Sequence, residues 1–262
     1  MSTVFNSIIS TLKYLFMCVG YNVKQSVNNK KSFIIQTIAM FINNFVFIFF
    51  WQILFNNKGG NINGITMSDI LYLWSIPTIG FGIAFFCFGG IETLCQDIVN
   101  GNLDLYLTRP KNSLISTLTS RSILSAMGDL LFGILCGILA VKFNPLKILL
   151  ILIMGIFSAV LNVAVLTSVR LLSFWLGDIS TACHKYTYSL LVTLTIYPEN
   201  MFPAVIKFVM YTIIPAGYIA HAPIKVITES SITWFIVLIL ATAFFVTLTC
   251  FLYKKGLKKY QG

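Results

Sequence analysis

Residues 89–110 read GGIETLCQDIVNGNLDLYLTRP and separate two long apolar stretches of the chain. The segment holds three acidic residues in a chain that has only eight. Its spacing predicts a short helix with one apolar face, ended by Gly101 and followed by a second break at Pro110. The apolar face consists of Ile91, Leu94, Cys95 and Ile98, and the polar residues Glu92, Gln96, Asp97 and Asn100 fall elsewhere. So compact a polar interruption predicts a surface that contacts something outside the membrane.

The composition is that of an integral membrane protein. Hydrophobic residues make up 57% of the 262 residues, charged residues make up 10%, and the mean hydropathy is +0.87. The N-terminal region lacks an apolar core with a small-residue cleavage site, so we expect no removable signal peptide. The six cysteines lack paired spacing, which argues against a disulfide framework and against a metal site. The net charge of +10 comes from basic residues at the ends of apolar stretches, which indicates membrane orientation rather than nucleic-acid binding.

Apolar stretches of about twenty residues predict six transmembrane helices. The fifth of them carries the polar residues Asp178, His184 and Lys185, so its two ends are less well defined by composition than those of the other spans. The predicted spans are Phe33 to Phe55, Ile70 to Ile91, Leu114 to Val141, Leu146 to Thr167, Leu171 to Tyr197 and Ile232 to Tyr253.

The distribution of Lys and Arg predicts the orientation of these spans. With both termini in the cytoplasm, most of the 18 basic residues fall on the cytoplasmic side, and the opposite orientation inverts that bias. The outer side then receives only Lys58, Lys142, Lys147, Lys207 and Lys225. This orientation places the segment from Glu92 to Pro110 in the cytoplasm.

Residues 1–31 precede the first span and predict a helix in the cytoplasmic interface. The alternative to this helix is that residues 1–31 form a loosely ordered leader. The helical prediction depends on one apolar stripe formed by Val4, Phe5, Ile8, Ile9, Leu12, Leu15, Phe16 and Val19.

Residues 197–224 combine apolar character with four of the seven prolines of the chain, which disfavours a continuous spanning helix. Short helices that enter and leave the membrane from the outer face satisfy both facts. We therefore expect an extracellular re-entrant hairpin here. The residues that define it are Tyr197, Pro198, Glu199, Pro203, Pro215 and Gly217.

The chain lacks the motifs of nucleotide chemistry. No run matches GxxxxGK[ST], so we expect no ATP hydrolysis by this chain. With only two histidines, His184 and His221, neither a histidine-based triad nor a zinc site is indicated. We expect no enzymatic activity, no metal and no cofactor in the chain itself.

One carboxylate, Asp129, lies deep in the predicted third span. A charge at that depth costs about 3 kcal/mol unless it is paired, which makes a function the default hypothesis. Arg121, two helical turns away, or Arg170, on the next span, is the expected partner. A polar clamp between helices and a role in substrate passage both remain open. The glycines of the same span, Gly133 and Gly137, have the GxxxG spacing, and they favour packing within the subunit over a dimer seam.

The motifs resemble those of a type-2 ABC exporter permease. The run from Gly101 to Pro110, GNLDLYLTRP, is similar to the G-x-L-D-x-x-L-x-R-P signature of a bacterial permease subfamily, with Leu103, Asp104 and Arg109 at its defined positions. The prolines of residues 197–224 are similar to its YP…P…IPAG…P outer segment. The resemblance implies an all-α polytopic membrane protein with six transmembrane helices, an N-terminal interfacial helix, a cytoplasmic coupling helix and an extracellular re-entrant hairpin.

The resemblance also implies partners. The chain then pairs with a second permease, identical or a sister, and with two ATPase subunits that bind ATP and Mg²⁺, in a bacterial cytoplasmic membrane. Residues 91–100 dock into the ATPase, and residues 101–110 return the chain to the membrane. Glu92, Asp97 and Asp104 meet a basic ATPase surface, and Arg109 holds the return segment against Asp104. Residues 1–262 then form a single transmembrane permease domain that exports a drug-like, lipid or peptide compound.

Two other functions remain open from the residues alone. One is an ion- or proton-coupled carrier in which Asp129 titrates without a partner ATPase. The other is a non-transporting membrane assembly subunit. A carrier is expected to show repeated halves, and the sequence contains no such repeat.

Overall fold

The structure is a computed structural model that describes residues 2–27, 30–62 and 64–260. Within these residues the chain is almost entirely helical, and an isolated bridge between Ile62 and Ile65 is the one β-type pairing. Helix α1 (Ser2–Val27) occupies most of the expected interfacial segment, and α2 (Lys30–Asn57) is the first candidate span. Residues 1, 28 and 29 and the side chains of Val4, Phe5, Ile8, Ile9 and Leu12 lie outside the described part. The interfacial position of α1 therefore stays a prediction.

Helix α3 (Met67–Phe88) is the central helix of the protein. It begins at Thr66, whose backbone N–H donates to the Asp69 carboxylate at 2.8 Å, and most of its residues are buried. It packs closely against α7 (Ala126–Ala140), because a Cβ on Gly133 would lie 2.8 Å from the backbone nitrogen of Ile79. Such close approach of two backbones is the usual role of small residues between membrane helices. Gly133 thus packs within the subunit, as the GxxxG spacing favours.

Three short helices lie between α3 and α7. They are α4 (Leu94–Val99), α5 (Asp104–Leu107) and α6 (Ser113–Leu118). Helix α1 rests on the last of them, since the Tyr14 hydroxyl donates to Ser116 Oγ at 3.0 Å and the Asn22 amide donates to the Thr119 carbonyl at 3.0 Å.

The predicted third span, Leu114 to Val141, is wrong as a single helix. It is divided into α6 and α7 by residues 119–125, which are not helical. The break lets the chain curve around the end of α3, where Gly90 packs directly against the Thr117 carbonyl and Ile123 donates its N–H to the Phe85 carbonyl at 3.1 Å. The polar residues between Thr119 and Ser122 favour this exit from the helix.

The predicted fifth span is also modified. Helix α8 (Pro145–Leu171) continues the fourth predicted span, with Pro145 in its first turn and the Asn144 side chain capping it. A short α9 (Ser173–Leu176) follows, and Gly177 then reverses the chain with φ +57°. Helix α10 (Ile179–Ile196) therefore begins eight residues later than the expected start of the fifth span at Leu171.

The proline-rich segment, residues 197–224, forms a bent pair of helices. Helix α11 (Ala204–Thr212) is followed by a π-helical turn (Gly217–His221) and by α12 (Ala222–Thr228), with an angle of 83° at the break. The last helix, α13 (Ile232–Leu257), begins where the Ser231 side chain caps its first turn. The bend fits the expected hairpin in form, and its position in a membrane stays a prediction.

Four helical stretches within the described residues are long and apolar enough to cross a membrane, and a bent pair makes a possible fifth. The four begin with α2, α3, α8 and α13. Helix α7 has only 15 residues, and α10 is interrupted by polar residues along its 18. The polytopic helical membrane fold is thus confirmed, whereas the six-span arrangement is not.

Candidate functional site

Residues 91–110, the interspan segment, contain the predicted amphipathic helix. A 3₁₀ turn (Gly89–Glu92) precedes α4, so the regular helix is shorter than the expected Ile91 to Asn100. Its predicted apolar face is confirmed, because the four side chains of that face are buried, whereas Gln96 and Asn100 are exposed. The buried residues are Ile91, Leu94, Cys95 and Ile98.

The second half of the interspan segment turns back at Gly101, which has φ +75° and thus acts as the predicted helix stop. Leu103 is fully buried, and its N–H donates to the Asp97 carbonyl at 2.9 Å. Beyond it the chain is open to solvent, with Asp104 and Arg109 exposed and Leu105 66% exposed. This half therefore presents an acidic and apolar outer surface.

The expected pairing of Arg109 with Asp104 is wrong. The guanidinium of Arg109 lies over the ring of Tyr106, 4.9 Å from its centre. Arg109 follows α5 by two residues, its N–H donates to the Tyr106 carbonyl, and an aromatic face attracts a guanidinium. Pro110, exposed, ends the segment as predicted from its missing N–H.

Glu92 does not point away from the protein as a docking acid. Its carboxylate forms an ion pair at 3.0 Å with the guanidinium of Arg170, at the end of α8. The Arg170 side chain is 5% exposed and the Glu92 side chain is 40% exposed. The pair therefore attaches the interspan segment to the last turn of α8.

A second contact attaches the interspan segment to the start of α10. The Cys95 sulfur lies 2.9 Å from the Ser180 hydroxyl and accepts a hydrogen bond from the Thr181 hydroxyl at 3.1 Å. Cys95 is fully buried. Short polar contacts thus join the interspan segment to α8 and α10.

Asp129 has a different environment from the expected one. Because α7 begins at Ala126, Asp129 lies in the first turn of that helix, where the helix dipole favours a carboxylate. Its Oδ1 accepts a hydrogen bond from the Asn44 amide of α2 at 2.7 Å. Arg121 is exposed in the non-helical break and Arg170 is paired with Glu92, so within the described residues neither arginine forms the predicted ion pair.

A charged cleft of about 390 Å³ opens beside these contacts. A second cavity of about 120 Å³ shares three residues with it, Met40, Asp129 and Tyr188, and extends between α2, α3 and α10. The sequence singled out several of its residues separately (Glu92, Asp129, Arg170, His184 and Lys185) and did not indicate that they share one cleft. The polar residues of its lining are Glu92, Ser125, Asp129, Arg170, Thr181, His184 and Lys185.

The proline-rich segment holds a second polar cluster. Glu199 forms an ion pair with Lys225 at 2.7 Å and accepts a hydrogen bond from the Tyr211 hydroxyl at 3.2 Å. The Lys225 ammonium also lies 4.3 Å from the centre of the Trp234 ring. Sequence reasoning singled out Glu199 and missed its partners, since a lysine and a tyrosine in an apolar segment have no distinctive spacing.

The remaining predicted residues of this segment shape its backbone. Tyr197 stacks edge-on to Trp51 of α2 at 6.4 Å, and Pro198 and Pro203 flank a 3₁₀ turn (Glu199–Met201). Pro215 precedes the π-helical turn. Gly217 packs against the Tyr211 ring so closely that a Cβ on residue 217 would lie 2.5 Å from a ring carbon. These residues hold the bend of the segment.

The end of α13 and the residues after it contact α6 and α9 beside the interspan segment, and no sequence signal indicated these contacts. The Tyr253 hydroxyl donates to Ser113 Oγ at 2.7 Å, and Tyr260 packs against Phe174 with ring centres 6.0 Å apart. Burial and, after it, the nearby carboxylate of Asp104 raise the pKa of the Tyr260 phenol. Residues near the C-terminus thus border the exposed half of the interspan segment.

One comparison with known proteins identifies the family. A family model described as ABC-2 family transporter protein matches residues 41–262, which include the interspan segment, the cleft and the proline-rich segment. No curated protein and no solved structure matches the chain. Because the family match covers far more than half of the 262 residues, the chain belongs to the ABC-2 transporter family, the type-2 ABC permeases whose motifs it resembles.

Proposed function

We propose that this chain is the membrane-spanning subunit of an ATP-driven exporter for a drug-like, lipid or peptide compound. Family membership implies association with ABC ATPase subunits. The proposal adds two such subunits that bind ATP and Mg²⁺, a second permease that is identical or a sister chain, and a bacterial cytoplasmic membrane with both termini inside. The chain is then a single permease domain whose six spans are α2, α3, α7, α8, α10 and α13.

The observation that carries this proposal is the double attachment of the interspan segment. The interspan segment contacts α8 through the Glu92–Arg170 ion pair and α10 through Cys95 and Ser180. A partner that pushes on the segment therefore displaces the ends of both helices, and the charged cleft lies between them. Rigid-body movement of packed helices is the usual form of such a transition.

Among the acids of the interspan segment, Asp104 is the best candidate for the ATPase contact. It is exposed beside Leu105, whereas Glu92 is engaged with Arg170 and Asp97 is half-buried. In this proposal Asp104 and Leu105 meet a basic and apolar ATPase surface, and Gly101, Leu103 and the residues after them return the chain to the membrane.

The test is purification of the chain from its host in mild detergent. An ATPase is expected to co-purify, and Asp104→Lys is expected to weaken its retention about fivefold, since a rim charge contributes roughly 1 kcal/mol. Glu229→Lys is the matched control, because Glu229 is an exposed acid near the other end of the bundle. Absence of an ATPase, with substrate transport that needs only a proton gradient, would favour the carrier that uses Asp129. Absence of both ATPase and transport would favour an assembly subunit.

A further inference from the structure

The charged cleft contains buried side-chain nitrogens without partners in the described part of the chain. Arg170 and His184 are 4% and 3% exposed, and neither Arg170 Nε nor His184 Nε2 has a hydrogen-bond partner among the described residues. Lys185, at the rim, forms no ion pair with a described residue. A buried N–H without a partner costs about 1–3 kcal/mol, so donors of this kind mark a place where an acceptor binds.

The acids of the cleft are already satisfied by the protein. Asp129 accepts from the Asn44 amide and lies in the first turn of α7, and Glu92 is paired with Arg170. The groups of the cleft that remain without a protein partner, within the residues that the structure describes, are therefore the Arg170 Nε–H, the His184 Nε2 and the Lys185 ammonium. A phosphate or a carboxylate provides acceptor oxygens for the Arg170 N–H, for the Lys185 ammonium and for His184 when its Nε2 carries the proton.

The walls become apolar away from these donors. The second cavity meets the cleft at Met40, Asp129 and Tyr188. Most of its lining is apolar and includes Phe47, Trp74 and Phe81, and its other polar residues are Asn43, Asn44, Thr78 and Thr195. Its position between α2, α3 and α10 gives an extended space with the charged end at one side. The two cavities together have the polarity of a molecule with an anionic head and an apolar tail.

We propose that the charged cleft binds an amphiphile with a phosphate or carboxylate headgroup, with the head at Arg170, His184 and Lys185 and the start of the tail along Phe47, Trp74 and Phe81. The inference rests on the proposed export function and narrows its substrate class to acidic amphiphiles.

The test is direct binding to the full-length chain, with its co-purifying partners, in phosphatidylcholine nanodiscs. Radiolabelled dodecyl phosphate is expected to bind saturably above empty nanodiscs, and dodecanoate is expected to displace it. Dodecanol and dodecyltrimethylammonium have the same tail and are expected not to compete. Inorganic phosphate separates a lipid headgroup from a free anion, and it is expected to compete only at concentrations at least tenfold higher.

Variants locate the binding. Lys185→Gln is expected to weaken dodecyl phosphate binding about fivefold, the effect of roughly 1 kcal/mol from a partly exposed charge. Lys147→Gln, an exposed lysine at the far end of α8, is the matched control. The double variant Glu92→Gln with Arg170→Gln removes the buried pair as a unit, and it is expected to abolish saturable binding while eluting as a folded protein.

Several results would overturn the inference. These are equal competition by dodecyltrimethylammonium, equal competition by inorganic phosphate, and unchanged affinity in both cleft variants. The readout is binding without ATP, so it is separate from the co-purification test of the proposed function. An ATPase that co-purifies with a chain that does not bind dodecyl phosphate contradicts only the present inference.

Discussion

The Glu92–Arg170 ion pair allows a sharp test, because its two partners differ in exposure. Methionine removes the charge at either position, and it is similar in length to Glu92 and shorter than Arg170. In Glu92→Met, the Arg170 guanidinium, 5% exposed, loses its counter-charge in a buried site. Removing one partner of a buried pair costs about 3 kcal/mol or more, since the remaining charge is left uncompensated.

The reverse substitution is expected to be milder. In Arg170→Met, the Glu92 carboxylate, 40% exposed and lining an open cleft, turns toward water. Its cost is expected to approach that of a surface pair, about 1 kcal/mol. The double variant replaces the pair by two apolar side chains, and such replacements are often neutral or stabilising, so it is expected to lie within about 1 kcal/mol of the parent protein.

The assay is reversible unfolding in mixed micelles with increasing dodecyl sulfate, followed by tryptophan fluorescence. The free energies of unfolding of the parent, the two single variants and the double variant form a thermodynamic cycle. Lys147→Met, at an exposed lysine elsewhere on α8, reports the cost of the methionine itself. Equal costs for the two single variants, or a double variant whose cost is their sum, would refute the reasoning.

Two further predictions concern α7. Gly133→Val is expected to lower the free energy of unfolding by about 3 kcal/mol in the same assay, because its Cβ would lie 2.8 Å from a backbone nitrogen of α3. The control Leu135→Val, at a 41% exposed position, is expected to lower it by under about 0.5 kcal/mol. Similar losses for the two variants would contradict the close packing. Asp129→Asn keeps an acceptor for the Asn44 amide, so it is expected to change the free energy of unfolding by less than about 1 kcal/mol. ATP-driven transport by this variant is expected to stay within twofold of the parent protein. Loss of transport would instead support the proton-coupled carrier.

The features that depend on local sequence pattern could be predicted from the sequence alone. The burial of Ile91, Leu94 and Ile98 followed from spacing along one helix, and the turn at Gly101 followed from the freedom of glycine to adopt positive φ. The polytopic membrane fold followed from the lengths of apolar stretches. In each case the determining interactions lie within a few residues or with the surrounding lipid.

Features set by the packing of distant residues were not predicted. The third span is broken because its chain curves around Gly90, and apolar composition does not distinguish a straight helix from a bent one. The partner of Arg170 lies 78 positions away along the chain, whereas comparable depth in neighbouring predicted spans favoured Asp129. Tyr260 approaches the interspan segment from the other end of the chain. Such pairs are fixed by how helices are arranged, which one sequence does not specify.

The shortness of α7 has a consequence for the surrounding lipid. Its 15 residues extend about 22 Å, whereas the hydrocarbon core of a bilayer is about 30 Å thick. Hydrophobic mismatch of this size is relieved by local thinning of the bilayer, which brings headgroups and water toward the first turn of α7. If α7 is a span, as proposed, the Asp129 carboxylate is expected at headgroup depth, and the proposed acidic amphiphile is expected to reach the cleft from the adjacent leaflet by lateral diffusion.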